Sequence, residues 1–114
     1  MGKQTDLGTV RIRNEVIGTI ATLAAQEVDG VVGVWHGFFP VGFLFGDSGV
    51  RVETKDQEVR VGLSLIVEYG VSLPTVAGQV QERVREMVER MTNLSAVEVQ
   101  VSIHHVRAKR GENR

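Results

Sequence analysis

The stretch "EVRVGLSLIVEYG", residues 58–70, decides the fold. Its apolar residues recur at every second position and fall on one face of an extended chain: Val59, Val61, Leu63, Leu65, Val67 and Tyr69. This alternation is typical of a strand with one buried face, because successive side chains of a strand point to opposite sides. Gly70 ends the run. We therefore predict a long strand that contributes one apolar face to the core.

Two other segments place apolar residues three and four positions apart, which is the spacing of an amphipathic helix. The first helix is predicted to start at Asn14, which suits an N-cap, and to run to about Val28. The second is predicted over residues 73–93, with Pro74 in its first turn, where the N–H that proline lacks would be unpaired anyway. The residues expected to face the core are Val16, Ile17, Ile20, Leu23, Ala24 and Val28 in the first helix, and Val76, Ala77, Val80, Val84, Met87, Val88, Met91 and Leu94 in the second.

Shorter runs predict further strands at residues 9–13, 31–35, 50–54 and 97–103, with a turn at 55–57. The predicted order is β-α-β-β-β-α-β. A two-layer sandwich buries all the apolar faces at once, so the predicted fold class is α+β, with one mainly antiparallel mixed sheet of about five strands and two helices packed on one face. We expect a single domain over residues 1–114, with a core at about 7–106 and a polar tail at 107–114.

The composition is that of an ordinary globular protein. The 114 residues include 13 basic and 14 acidic side chains, and the net charge of −1 provides no field that would attract nucleic acid or anionic lipid. The chain has no cysteine, which excludes disulfides and thiolate metal sites. Its first residues lack the apolar core of a signal peptide, so the expected location is the cytoplasm.

Motifs that carry catalysis are missing from the sequence. No glycine-rich phosphate loop lies between a strand and a helix, and no serine stands in a nucleophile elbow. His104 and His105 are adjacent, so on a strand they are expected to point to opposite faces and cannot bind one metal ion together. The sequence therefore predicts no enzyme, no catalytic residue, no cofactor and no metal, and it offers no nucleic-acid-binding motif.

The connection "HGFFPVGFLFGDSG", residues 36–49, holds all four phenylalanines of the chain. Leaving its large apolar side chains in water would forgo on the order of 10 kcal/mol of burial, so something is expected to cover them. Three covers remain open: the chain's own sheet or helices, another copy or a protein partner, or a membrane surface. Glycines and Pro40 argue against a transmembrane span. The candidate interaction residues are Trp35, Phe38, Phe39, Phe43, Leu44 and Phe45.

Three long stretches resemble a known family. The stretches "GTVRIRNEVIGTIATLAAQEVDGVVGV" (8–34), "GVRVE" (49–53) and "VGLSLIVEYGVSLPTVAGQVQERVREMVERMTNLSAVEVQVSIHHV" (61–106) are similar to the alkaline shock protein family, the envelope stress response or Gls proteins of Gram-positive bacteria. The resemblance covers about residues 7–106 and departs at the connection, where family members commonly have a polar, lysine-bearing stretch. It implies a non-enzymatic, cytoplasmic protein of cell-envelope homeostasis, held near the membrane by a membrane-anchored partner.

The predicted function is therefore that of an interaction or scaffold protein. Its expected partners are further copies of the chain and a membrane-anchored protein. The alternative is a small-ligand or lipid-binding regulatory protein that uses the aromatic 36–49 segment as a pocket wall.

Overall fold

A computed structural model describes residues 11–35 and 49–108 of the chain. Its elements are helix α1 (Asn14–Gln26), strands β1 (Val31–Val34), β2 (Val50–Lys55) and β3 (Glu58–Glu68), helix α2 (Leu73–Thr92) and strand β4 (Val97–Arg107). The predicted α+β class, with one sheet and two helices, is confirmed. Residues 11–13 of the predicted first strand are not in a strand, and residues 9–10 lie outside the described residues. The sheet described here thus has four strands.

Strand β3 is the centre of the sheet. Strand β4 pairs with it in parallel along residues 59–68, whereas β2 pairs antiparallel with residues 58–63 and β1 with residues 65–67. Because β4 occupies one whole edge of β3, β1 and β2 share the opposite edge, one after the other. The predicted turn at 55–57 joins β2 to β3, and Asp56 adopts a left-handed conformation there, with φ of 58°.

The core lies between the sheet and the two helices. Strand β3 contributes Val59, Val61, Leu63, Leu65 and Val67, each at most 2% exposed. Helix α2 contributes Val76, Val80, Val84 and Val88, each at most 4% exposed. Tyr69, which the alternation also assigned to the buried face, is 79% exposed. That prediction is wrong because β3 ends at Glu68 and the alternation has no meaning beyond the strand.

Helix α1 packs through part of the predicted stripe together with small residues that the stripe did not include. Its buried residues include Gly18, Ala21 and Ala25 beside Ile17, Ile20 and Ala24, whereas Val16 is 48% and Leu23 57% exposed. Gly18 faces β2, where a Cβ would lie 3.6 Å from Val50 Cγ1, an ordinary van der Waals contact. The side of α1 with the small residues faces the sheet, and the predictions for Val16 and Leu23 are therefore wrong.

The first residue of α1 links the helix to the sheet. The N-cap is Arg13, without a side-chain cap, and not Asn14 as predicted. The Asn14 amide instead donates a hydrogen bond to the carbonyl of Val52 (3.3 Å), and its oxygen accepts one from the Thr54 hydroxyl (3.3 Å). A side chain suited to capping is thus used for a contact between α1 and β2.

Helix α2 begins where the sequence predicts. The Ser72 hydroxyl accepts a hydrogen bond from the backbone N–H of Thr75 (3.4 Å), Pro74 stands in the first turn, and Asn93 ends the helix with φ of 64°. Met91 is 58% exposed, contrary to its predicted place in the core. It lies in the last turn of α2, one residue before the helix ends, where the buried valine column has already stopped at Val88.

The polar side of α2 carries ion pairs. Glu86 and Arg90, four positions apart, pair at 3.1 Å, and Arg85 pairs with Glu82, three positions before it, at 3.6 Å. The Arg83 guanidinium lies 2.6 Å from the carboxylate of Glu27 at the end of α1. Its hydrogen bond to Glu27 and the charge of that carboxylate raise the pKa of Arg83. This pair joins the two helices on their solvent side.

Candidate interaction surface on the open face of the sheet

The face of β3 that points away from the core carries different chemistry. Arg60, Gly62 and Ser64 alternate with the buried residues, and the described residues place no helix over them. Gly62 pairs with Arg51 of β2 on one side and with Gln100 of β4 on the other. We call this surface the open face.

A depression of about 350 Å³ lies at the middle of the open face. Its floor is low because the central residues carry small side chains or none. Polar groups from β2 and β4 stand around it, and an indole forms one end. The lining residues are Trp35, Gly49, Arg51, Gly62, Leu63, Ser64, Gln100, Ser102 and His104.

Trp35 is held at the rim of the depression by the backbone. Its N–H donates to the carbonyl of Ser64 (2.7 Å), and the N–H of Ser64 donates to the carbonyl of Gly49 (2.9 Å). Gly49 has φ of 83°, and a Cβ there would lie 1.5 Å from the carbonyl oxygen of Trp35. Only glycine fits at this position. The chain segments before and after residues 36–48 are therefore fixed side by side at the rim.

The indole of Trp35 contacts two histidines across the sheet. Its ring stacks on His104, with centroids 5.6 Å apart and planes 17° from parallel, and the ring of His105 lies at 6.5 Å. The prediction that the two histidines point to opposite faces is wrong. Leu65 pairs with Ile103 and the next residue, Ile66, pairs with His105, so β4 carries one extra residue at this point. This bulge interrupts the alternation and lets both rings approach Trp35.

Charges differ between the two ends of the open face. Near the depression, Arg60 lies between Glu53 (3.9 Å) and Glu98 (3.3 Å) and forms an ion pair with each of them. Arg51, beside the depression, forms no ion pair with any other described residue. Within residues 11–35 and 49–108, no three His, Cys, Asp or Glu side chains are placed to hold a metal ion.

Of the predicted interaction residues, the structure places Trp35 on this surface. Phe38, Phe39, Phe43, Leu44 and Phe45 lie outside the described residues. The sequence reasoning missed Arg51, Gly62, Ser64, Gln100 and Ser102. One signal was available for them: Gly62 stands inside β3, on the face opposite the apolar residues, and a glycine inside a strand often marks a place where another group comes close. Arg107, which was predicted to be the first residue of the polar tail, is instead the last residue of β4.

A family comparison decides the class of this molecule. The sequence profile of the alkaline shock protein 23 family, described as having a cell envelope-related function, matches residues 2–108. The chain belongs to this family. The match confirms the resemblance to the alkaline shock and Gls proteins, and it connects the chain with the cell envelope and the stress response. None of the helices in the described parts of this alkaline shock family chain is long and apolar enough to cross a membrane.

Two bacterial proteins are similar in sequence to this alkaline shock family chain. Over 107 residues the chain is 40% identical to the uncharacterized protein YqhY of Bacillus subtilis, covering 89% of this chain and 78% of that protein. Over 108 residues it is 34% identical to a stress response regulator gls24 homolog of Streptococcus pyogenes, covering 90% of this chain and 60% of that protein. The streptococcal relative is therefore considerably longer than the matched region.

Among solved structures, the fold resembles that of a MamM CTD variant. The TM-score is 0.52 at 21% sequence identity, and the match covers 80% of this chain and 95% of the other. At this identity the likeness concerns the fold alone.

Proposed function

We propose that this alkaline shock family chain is a non-enzymatic interaction protein that serves the cell envelope during stress by binding protein partners. In this proposal it lies at the inner side of the cytoplasmic membrane, held there by a membrane-anchored protein, and it also binds further copies of itself. The observation that carries the proposal is the open face, where a backbone-fixed indole stands beside a depression in an otherwise polar sheet surface. Tryptophan is enriched at protein-binding surfaces and among the residues that dominate their binding energy.

The burial pattern supports binding rather than catalysis. The buried side chains of the described residues are all apolar, and the polar groups around the depression are exposed or half-buried. General acid–base catalysis works best with titratable groups that are desolvated and oriented by neighbours. The polar groups of the open face instead suit hydrogen bonding and charge pairing at the rim of an interface.

A second candidate is the small-ligand or lipid-binding regulator. The depression favours this candidate by its volume of about 350 Å³, because the volumes of ligand pockets range upward from roughly 300 Å³. The depression is partly open to solvent, however, and a small ligand is usually enclosed over most of its surface. Native mass spectrometry distinguishes the two candidates, because a co-purified acyl or cofactor mass supports the regulator and a series of oligomers supports the interaction protein.

The direct test is chemical crosslinking in the native host, followed by capture of the tagged chain and separation of the envelope fraction. We expect the chain in that fraction, crosslinked to a membrane-anchored protein. The control is a chain with Glu82→Gln and Glu86→Gln, two exposed changes on α2, far from the open face. A chain that stays out of the envelope fraction under stress, with no crosslinked protein, would contradict the proposal.

A further inference from the structure

We propose that the depression on the open face binds one aromatic side chain of a partner protein, with an acidic residue beside it in the partner's sequence. This inference rests on the proposed function, since it names the chemistry by which a protein partner is recognised. Three features of the open face support it: a glycine in the central strand, the groups around that glycine, and an arginine that forms no ion pair with another described residue.

No described residue explains why position 62 is a glycine. Gly62 lies near the middle of the central strand, where glycine is unfavourable because it adds backbone freedom and has no side chain to pack. Its backbone is not in the left-handed region, so the conformation does not require glycine. A Cβ at this position would find its nearest atom, Arg51 Cβ, at 4.0 Å, so space does not require glycine either. Among the described residues nothing fills the space over this bare backbone, and we infer that a group of a partner protein approaches it.

The neighbours of Gly62 suit a flat, apolar group. Ser64 and Ser102 pair directly with each other and keep the floor low. Trp35 forms the end wall, where the ring is already stacked on His104. An aromatic ring lying over Gly62 would contact the indole at one edge and Arg51 at the other. Aromatic pairs and a guanidinium over a ring face both contribute attraction beyond simple burial.

The charge of the surroundings selects an acidic neighbour for that ring. Arg60 already lies between Glu53 and Glu98, whereas Arg51 has no ion pair among the described residues. A carboxylate one or two residues from the aromatic side chain reaches Arg51, which is directly opposite Gly62 in the sheet. A lysine or arginine there would meet Arg51 with the same sign. The partner segment is therefore aromatic and acidic rather than aromatic and basic.

The test is a titration of the ¹⁵N-labelled full chain with synthetic peptides, followed by NMR. The probe is the peptide Gly-Ser-Asp-Phe-Asp-Ser-Gly-Ser, and its controls replace Phe by Ala or both Asp by Lys. We expect the probe to shift the indole N–H of Trp35 and the amides of Ser64 and Ser102, and both control peptides to bind at least about tenfold more weakly. Equal shifts with the Ala peptide, or shifts confined to the helices, would overturn the proposal.

Substitutions at the floor separate binding from folding. Gly62→Val fills the depression with a residue that strands favour, so we expect an unchanged or higher melting temperature and at least about tenfold weaker peptide binding. Gly78→Ala is the matched control, because Gly78 on α2 also has open space around it but lies far from the open face. Arg51→Gln is expected to remove the preference for the acidic peptide over the lysine peptide. Undiminished binding by a folded Gly62→Val chain would refute the proposal.

Two further outcomes are informative. With selectively labelled phenylalanine, a nuclear Overhauser contact between a Phe ring and the α-protons of Gly62 in the free protein would overturn the proposal, because the chain itself would then fill the depression. In the crosslinking experiment, a Gly62→Val chain that keeps its envelope partner refutes this site but leaves the proposed function standing. If the wild-type chain has no envelope partner, the proposed function fails, whatever the peptide titration shows.

Discussion

The two faces of strand β3 carry opposite chemistry. On the face toward the helices, every second residue from Val59 to Val67 is aliphatic, and each of these five side chains is at most 2% exposed. On the other face the same strand presents Arg60, Gly62 and Ser64 to solvent or to half-burial. Neighbouring residues of one strand thus serve different purposes. One face supplies the stability of the fold, and the other is left with small and polar groups that a core would not select.

The open face also carries one buried apolar residue, Ile66. This residue is 9% exposed, yet it does not belong to the cluster of buried residues that the helices cover. It pairs with Gly33 of β1 on one side and with His105 of β4 on the other, beside the bulge. The open face is therefore polar at its middle and partly apolar where Trp35 and the histidines gather.

The largest effect is expected from a charge on the buried face. Leu65→Asp places a carboxylate where no water reaches, so we expect loss of several kcal/mol and a chain that does not fold at room temperature. Ser64→Asp, one residue away on the open face, should cost less than about 1 kcal/mol. Circular dichroism with thermal melts measures both. A native-like transition for Leu65→Asp would mean that the two faces are wrongly assigned.

A smaller effect is expected at the rim of the open face. Gly49→Ala would drive a methyl group into the carbonyl of Trp35, at a position with φ of 83°, and should cost about 2 kcal/mol or more. Gly62→Ala is the control and should be neutral or stabilising by up to about 1 kcal/mol. Chemical denaturation followed by Trp35 fluorescence measures both changes. If Gly49→Ala changed the free energy of unfolding as little as Gly62→Ala, the close backbone packing of Gly49 against Trp35 would be wrong.

A third prediction concerns the aromatic connection, which lies outside the described residues. We predict that changing Phe39, Phe43 and Phe45 together to Ser keeps the fold within about 1 kcal/mol, because the helix-covered face supplies the core without them. The same change should reduce self-association in analytical ultracentrifugation. Unchanged oligomers with a melting temperature many degrees lower would show that the segment is part of the core.

The smallest effect is expected on the solvent side of the helices. Changing Glu82 and Glu86 together to Gln removes exposed ion pairs with Arg83, Arg85 and Arg90, and should alter the free energy of unfolding by no more than about 1 kcal/mol. The change should also leave peptide binding to the open face untouched. A larger loss in denaturant unfolding would reveal a third surface that matters, and the comparison of two faces would then be incomplete.

Predictions from the sequence were most accurate where apolar residues recurred at a regular spacing along a whole strand or helix. The alternation in β3 identified five buried residues, and the valine spacing of α2 identified four more. They failed where a contact with another element intervened. Val16 and Leu23 are exposed because the side of α1 that carries Gly18, Ala21 and Ala25 packs against the sheet, and no pattern within α1 indicates which of its apolar sides will do so.

The candidate site was predictable only in part for a related reason. Trp35 stood out as an aromatic residue at the edge of a glycine-rich connection, but its neighbours come from three separate strands. Adjacent histidines looked like an opposed pair until the bulge in β4 brought both toward one ring. Gly62 carried a signal in the sequence, yet its meaning depends on the empty space around it.

By itself the sequence determined the fold class, the family and the buried face of the central strand, since these follow from local periodicity and from residues in a fixed order. Only the tertiary structure decided which strands flank β3, which side of α1 is buried, and that Trp35, Arg51 and His104 surround one depression over Gly62. The physical reason is that side-chain direction is a local property of a helix or strand, whereas pairing, close approach and bulges depend on residues tens of positions apart in the chain.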